Sequence, residues 1–124
     1  MYPKVKDPKM VGEYSAVAKA GGGLVWDYVL EYRVWCHCED GDDYYYAFED
    51  AETAMECSQA EKEAEQPLAL ILQQEYIDEP EAGKYVHMKE ERIAEWPIEF
   101  LSRPRRKENT IPDFISPDAP DNKL

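Results

Sequence analysis

Between residues 24 and 38 the chain reads LVWDYVLEYRVWCHC, its longest run rich in Val, Leu, Tyr and Trp. Such side chains suit a pleated, half-buried surface. Alternate positions separate into two sets. Trp26, Tyr28, Leu30, Tyr32, Val34 and Cys36 share one side, and Asp27, Glu31, Arg33 and His37 share the other with Val29 and Trp35. The pattern predicts a long first strand with one face turned to a core and one mixed face. Residues 39–43 then hold an Asp-Gly pair, a strong hairpin signal, and 44–48, YYYAF, read as the returning strand.

Asp50 is a good N-cap with Glu52 in the first turn behind it. Ala51, Ala54, Met55 and Ser58 recur at helical spacing, which predicts a helix over about 51–64 with a small-residue face. That face is expected close over the sheet, small residues against bulky Trp26, Tyr28 and Tyr32. Residues 68–77 start apolar on both faces and then alternate, as a strand central in a sheet would. A Pro- and Gly-containing turn over 78–83 leads to a fourth strand over 84–91. Pro97 suits the first position of a short helix carrying Ile98, Phe100 and Leu101.

The expected fold is α+β: a four-stranded, largely antiparallel sheet in the order β-β-α-β-β plus a short C-terminal helix, one helix covering one face. Residues 24–102 form the single domain. Residues 1–23, ending in Gly21-Gly22-Gly23, read as a flexible segment and hinge. Residues 103–124, basic and then rich in Pro and Asp, read as an irregular tail, with Ile111 and Phe114 available to pin it down.

Charge narrows the partners. Twenty-seven acids against 14 basic residues leave a net −13, a field that repels phosphate backbones and anionic membranes, so neither nucleic acid nor membrane is an expected partner. The first ten residues carry charges and prolines where a signal peptide has an apolar stretch. Together with three cysteines, an odd count, this predicts a cytoplasmic protein with reduced thiols.

Cys36-His37-Cys38 invites a metal reading, with Cys57 and His87 as further ligands. In a strand the two cysteines point one way and His37 the other, and no Cys-x-x-Cys spacing supports a zinc site. Buried apolar fillers are the expectation, with no metal and no catalytic residue assigned. The mixed face of the first strand, Glu31, Arg33, Trp35 and His37, is the expected binding surface. One helix covers only one side of a sheet, so the other side is left for a second copy of the chain or for another protein. Arg103, Arg105 and Arg106 are candidates to bind an anion or to clamp the protein's own acidic surface.

The segments GGGLVWDYVLEYRVWCHCEDGDDYYYAF, LALILQQEYIDEP and YVHMKEERIAEWPIEFLSRPRR resemble a small bacterial family of unassigned activity, some members of which are labelled GNAT-type acetyltransferases. The resemblance spans roughly residues 20–115 and implies acetyl-CoA as cofactor. The GNAT pyrophosphate loop, Gln/Arg-x-x-Gly-x-Gly/Ala between a strand and a helix, has no counterpart here. Gly21 to Gly23 precede a strand, and Phe48-Glu49-Asp50 precede the helix. No functional residue carries over. The readings are therefore a non-catalytic interaction module that self-associates without a cofactor, and an acetyl-CoA-dependent transferase.

Overall fold

The computed structural model describes residues 2–18 and 23–116. The glycine hinge at 21–22 and the end of the tail, 117–124, lie outside the described residues. The fold is α+β. Its main sheet holds β1 (Tyr28–Cys36), β2 (Tyr44–Phe48), β3 (Leu68–Gln73) and β6 (Arg92–Pro97) in the order β2-β1-β3-β6, every pair antiparallel. A separate two-stranded ribbon holds β4 (Tyr76–Glu81) and β5 (Lys84–Met88). Helix α1 (Ala51–Ala60) follows β2, and a short α2 (Thr110–Ile115) closes the described chain.

The first strand starts later than its composition implies. Gly23 and Leu24 both have positive φ, +72° and +64°, so the chain turns there before it extends. Gly23 is required at that turn. A Cβ on it would lie 2.5 Å from Gln73 Nε2 and 2.6 Å from Arg92 Nη2. Inside β1, a register shift between Val29 and Glu31 breaks the alternation. Val29 therefore joins Tyr32, Val34 and Cys36 on the core face, while Leu30 moves to the opposite face with Leu70 and Leu72. Tyr28 goes with them, so the face facing the helix is Trp26, Val29 and Tyr32 rather than Trp26, Tyr28 and Tyr32.

Asp50 caps α1 as expected, its Oδ1 accepting from Thr53 N at 2.7 Å. Ala51 and Ala54 sit fully buried among Tyr32, Val34, Ile71, Ala94 and Trp96. The helix stops at Ala60, short of the expected 64. Glu61, Glu63 and Glu65 are ill placed at the negative end of a helix dipole. Their backbone instead pairs with β1: Glu65 N donates to Trp35 O at 2.8 Å, and His37 N to Glu63 O at 3.1 Å.

The largest departure is in the second half. The run expected as one strand over 68–77 breaks at Gln74, whose N–H donates to Asp27 Oδ2 at 2.7 Å instead of continuing the ladder. The chain then leaves the sheet as the β4–β5 ribbon. The place beside β3 goes to β6, where Ala94 and Trp96 alternate inward against Ile71 and Ala69. Residues 84–91, expected as the fourth strand of the sheet, supply β5 of the ribbon. Pro97 does lead into a short 3-10 turn, Ile98–Ser102, with Ile98 and Leu101 buried.

Both faces of the sheet are covered over β1 and β3. Val5 bridges Val29 in parallel, with Lys6 N donating to Val29 O at 2.7 Å, beyond the point where β2 ends. The chain then crosses, and residues 12–18 lie as a strap over the face that α1 does not cover, Tyr14 and Ala18 packing on Leu30, Leu70 and Leu72. The tail folds back as well. Ile111 is buried with Val25 and Ile77, and Phe114 meets Tyr85 edge-on at 5.0 Å. Among the described residues no helix is long and apolar enough to cross a membrane.

Candidate functional site

The strap changes what the mixed face of β1 can do. Glu31 and Arg33, expected as exposed binding residues, are both fully buried. Arg33 Nε donates to Glu31 Oε2 at 2.7 Å and Nη1 to Glu95 Oε2 at 3.1 Å. Its remaining donors reach the carbonyls of Ser15 and Ala16, and its plane lies over the Tyr45 ring at 4.5 Å. Gly12 N donates to Glu31 Oε1 at 2.9 Å, and Trp35 Nε1 to Glu95 Oε2 at 2.7 Å. A buried charge is tolerated when it is paired and its donors are filled, and this network meets that condition while fixing the strap. Glu31, Arg33 and Trp35 thus come together as an internal clamp. His37 stands apart, exposed beyond the end of β1.

The arginines of the tail are also engaged within the chain. Arg106 pairs with Asp27 at 2.9 Å and reaches Glu75 at 3.5 Å, and Glu75 holds His87 at 2.6 Å. Arg105 donates to the Asp27 carbonyl and lies over Tyr28 at 4.4 Å, and Arg103 lies over Phe100 at 4.4 Å. The open cleft beside them, about 430 Å³, is lined by Arg105, Arg106 and Lys107 but also by Asp27 and Glu108. Within this basic run Arg106 clamps the chain's own acids, while Arg103 and Arg105 lie over aromatic rings.

Cys36 is buried in β1, and Cys38 and Cys57 are half-buried. Among the described residues no group of three or more His, Cys, Asp and Glu side chains is placed to hold a metal ion. His87 belongs to the Glu75 cluster on the ribbon. Cys36 is buried, and loss of solvent pushes its thiol above the usual range, as it does for Cys57. A thiol held neutral is a poor nucleophile.

Large apolar groups also turn outward on β2, a terminal strand of the main sheet. Its outer main-chain edge has no partner strand among the described residues. Tyr44 and Tyr46 keep 39% and 41% of their surface exposed. With Phe48 they form an aromatic row on the α1 side of the strand, ring centroids 5.6 and 6.4 Å apart. On the other side, Tyr45 packs on Trp35 at 4.8 Å and donates its hydroxyl to Tyr14 O at 3.1 Å. Tyr45 therefore anchors the strand while its neighbours face solvent.

The ends of this edge are electrostatically defined. His37, just past β1, is bracketed by Asp43 at 2.8 Å and Glu65 at 2.9 Å, and these two hydrogen bonds raise its pKa above the ordinary value. Tyr44 contacts the Cys36 thiol, and its hydroxyl is pushed up to about 12, first by desolvation and then by that neighbour. The phenol is thus neutral at physiological pH. The sequence reading assigns no site here, although a Tyr-x-Tyr alternation inside an acidic run was a legible signal.

Compared with known proteins, the chain matches no protein-family model, no curated protein and no solved structure.

Proposed function

We propose that this protein is a small non-catalytic binding module that docks an extended segment of another protein along β2. The observation that carries the reading is the pair Tyr44 and Tyr46, large aromatics more than a third exposed on a terminal strand that contains neither charge nor proline. Sheet edges are ordinarily blunted by such residues, because unpaired N–H and C=O groups recruit other strands. An edge left open, with aromatics beside it, has the features of strand-addition recognition, where main-chain bonds give affinity and side chains give selectivity. The reading needs no cofactor, and we place the protein in the cytoplasm on its odd cysteine count.

A display library of short extended peptides, selected on the folded protein, tests this. Binders are expected to shift the backbone amides of 44–48 and to lose at least about tenfold in affinity, some 1.4 kcal/mol, against Tyr46→Lys. Selected peptides that map to the tail cleft instead, or a selection that yields none, would remove the proposal.

The acetyl-transfer reading draws on family resemblance alone. Here the N-terminus of α1 is already occupied by the Asp50 carboxylate, with Glu49 beside it, where a pyrophosphate would have to bind. Millimolar acetyl-CoA is expected to leave the melting temperature unchanged. Saturation at a hundred times the dissociation constant would add about 2.7 kcal/mol and raise it by roughly 10 °C, which would restore the transferase reading.

A further inference from the structure

The charge around β2 is more lopsided than the net value suggests. Residues 39–65 hold eleven acids and one lysine, so this quarter of the chain carries −10 of the total −13. The acids bracket the open edge. Asp42 and Asp43 precede Tyr44, Glu49 and Asp50 follow Phe48, and Asp42, Asp43 and Glu49 are exposed. From the other side of the strand's end, Glu65 reaches His37 at 2.9 Å.

Resting on the docking reading above, we propose that the occupant of the β2 edge is a positively charged extended segment, rich in Lys or Arg at alternate positions. Three properties of the edge select it. Carboxylates at both ends attract cationic side chains that overhang the strand and speed encounter. The ring faces of Tyr44 and Tyr46 between them accept a guanidinium or ammonium group, an attraction that strengthens as water is excluded. The unpaired main chain of β2 offers hydrogen bonds to an extended backbone of any sequence.

The same arrangement disfavours a second copy. An antiparallel pairing of two β2 strands centred on Tyr46 would set Asp43 opposite Glu49 and Asp42 opposite Asp50, twice over. Like charges directly across a pair destabilise it. An acidic edge with aromatic filling is built for an unlike partner.

The test uses the full chain and three end-blocked probe peptides: Val alternating with Lys and Arg; the same peptide with Glu in place of every Lys and Arg; and the basic peptide N-methylated at alternate residues. The basic peptide is expected to bind, with amide shifts confined to 44–48 and the flanking acids. Its affinity should fall steeply between about 0.1 M and 1 M salt, where the screening length drops from about 10 to about 3 Å. The acidic and N-methylated probes should bind at least about tenfold more weakly, and Asp42→Lys with Glu49→Lys should weaken the basic probe by a similar factor. Both positions are exposed, so the folded state should survive the change.

Equal binding of the acidic and basic probes at β2 would overturn the charge inference and leave the docking edge standing. Retention of the N-methylated probe, or shifts that map to α1 rather than β2, would overturn strand addition and the docking reading with it. Failure of the basic probe to bind, while library selection still yields neutral peptides on β2, would sink the charge inference alone. Concentration-dependent dimerisation of the free protein that shifts the same amides would replace the basic segment by a second copy.

Discussion

The main sheet has two terminal strands, and they are finished in opposite ways. β6 carries Arg92 and Glu95 within it and ends in Pro97. Its charges point into the structure: Glu95 holds Arg33 and Trp35, and Arg92 Nε donates to Gln73 Oε1 at 2.9 Å while its guanidinium lies 3.7 Å above the Tyr76 ring. Inward charges and proline are the devices by which sheets avoid recruiting further strands. β2 has neither. Its five residues are four aromatics and an alanine, and its charges lie only at its ends. One edge is closed by its own composition and the other is left chemically ready.

The contrast also explains where the basic residues went. The arginines that would attract anions, Arg103, Arg105 and Arg106, are folded against Trp96, Phe100, Tyr28, Asp27 and Glu75. They stabilise the side of the molecule that holds α2 and the ribbon. Among the described residues no arginine or lysine pairs with the carboxylates flanking β2, where His37 alone holds Asp43, so the acidic field of the protein is concentrated near its open edge.

Breaking the closed side should cost most. Arg33→Ala leaves Glu31 buried without its cation and frees the strap carbonyls, an expected loss of about 3–5 kcal/mol in urea unfolding. Proteolysis of residues 12–18 should accelerate in the same variant. A loss below about 1 kcal/mol would mean that the clamp does not hold the strap. Gly23→Ala comes next, at more than about 1 kcal/mol, because a Cβ there needs a strained φ and collides with Gln73 and Arg92 beneath the β3–β6 pair.

Changes on the open side should spare stability. Tyr46→Lys is expected to shift unfolding by no more than about 0.5 kcal/mol while weakening peptide docking at least about tenfold, since the side chain supports contact and little of the core. A large destabilisation would instead make the Tyr44–Tyr46–Phe48 row part of the hydrophobic core.

The smallest effect concerns pH. His37 has a raised folded-state pKa, so its bonds to Asp43 and Glu65 contribute fully below about 6.5, the ordinary value, and fade as pH rises through the raised one. Proton-detected titration of the imidazole should show the elevated midpoint, and Glu65→Gln should bring it down. A midpoint at the ordinary value would dissolve the bridge between the 39–43 turn and the chain entering β3.

The candidate site was half legible. The Asp-Gly turn, the β2 strand and the Asp50 cap stand as the residue pattern implies, because each depends on neighbours a few positions away. The aromatic edge could also have been found, from Tyr44 and Tyr46 alternating between acid clusters. What the pattern could not give was their exposure, which requires knowing that β2 is terminal. The mixed face of β1 misled for a related reason. Glu31 and Arg33 have the composition of a solvated face, and only a strap brought from residues 12–18 turns them into an interior ion pair.

Local rules thus determined the elements: alternation made the strands, spacing made α1, and Asp50 fixed where it starts. The tertiary structure decided their company. A register shift at Val29–Glu31 exchanged which residues face the core, a bond from the Gln74 backbone N–H to the Asp27 carboxylate ended β3, and β6 rather than β5 filled the vacancy beside it. Each of those choices is a competition between partners distant in sequence, settled by which arrangement buries Trp96 and Ala94 while pairing the buried Glu31 and Arg33, and a one-dimensional pattern carries no record of that contest.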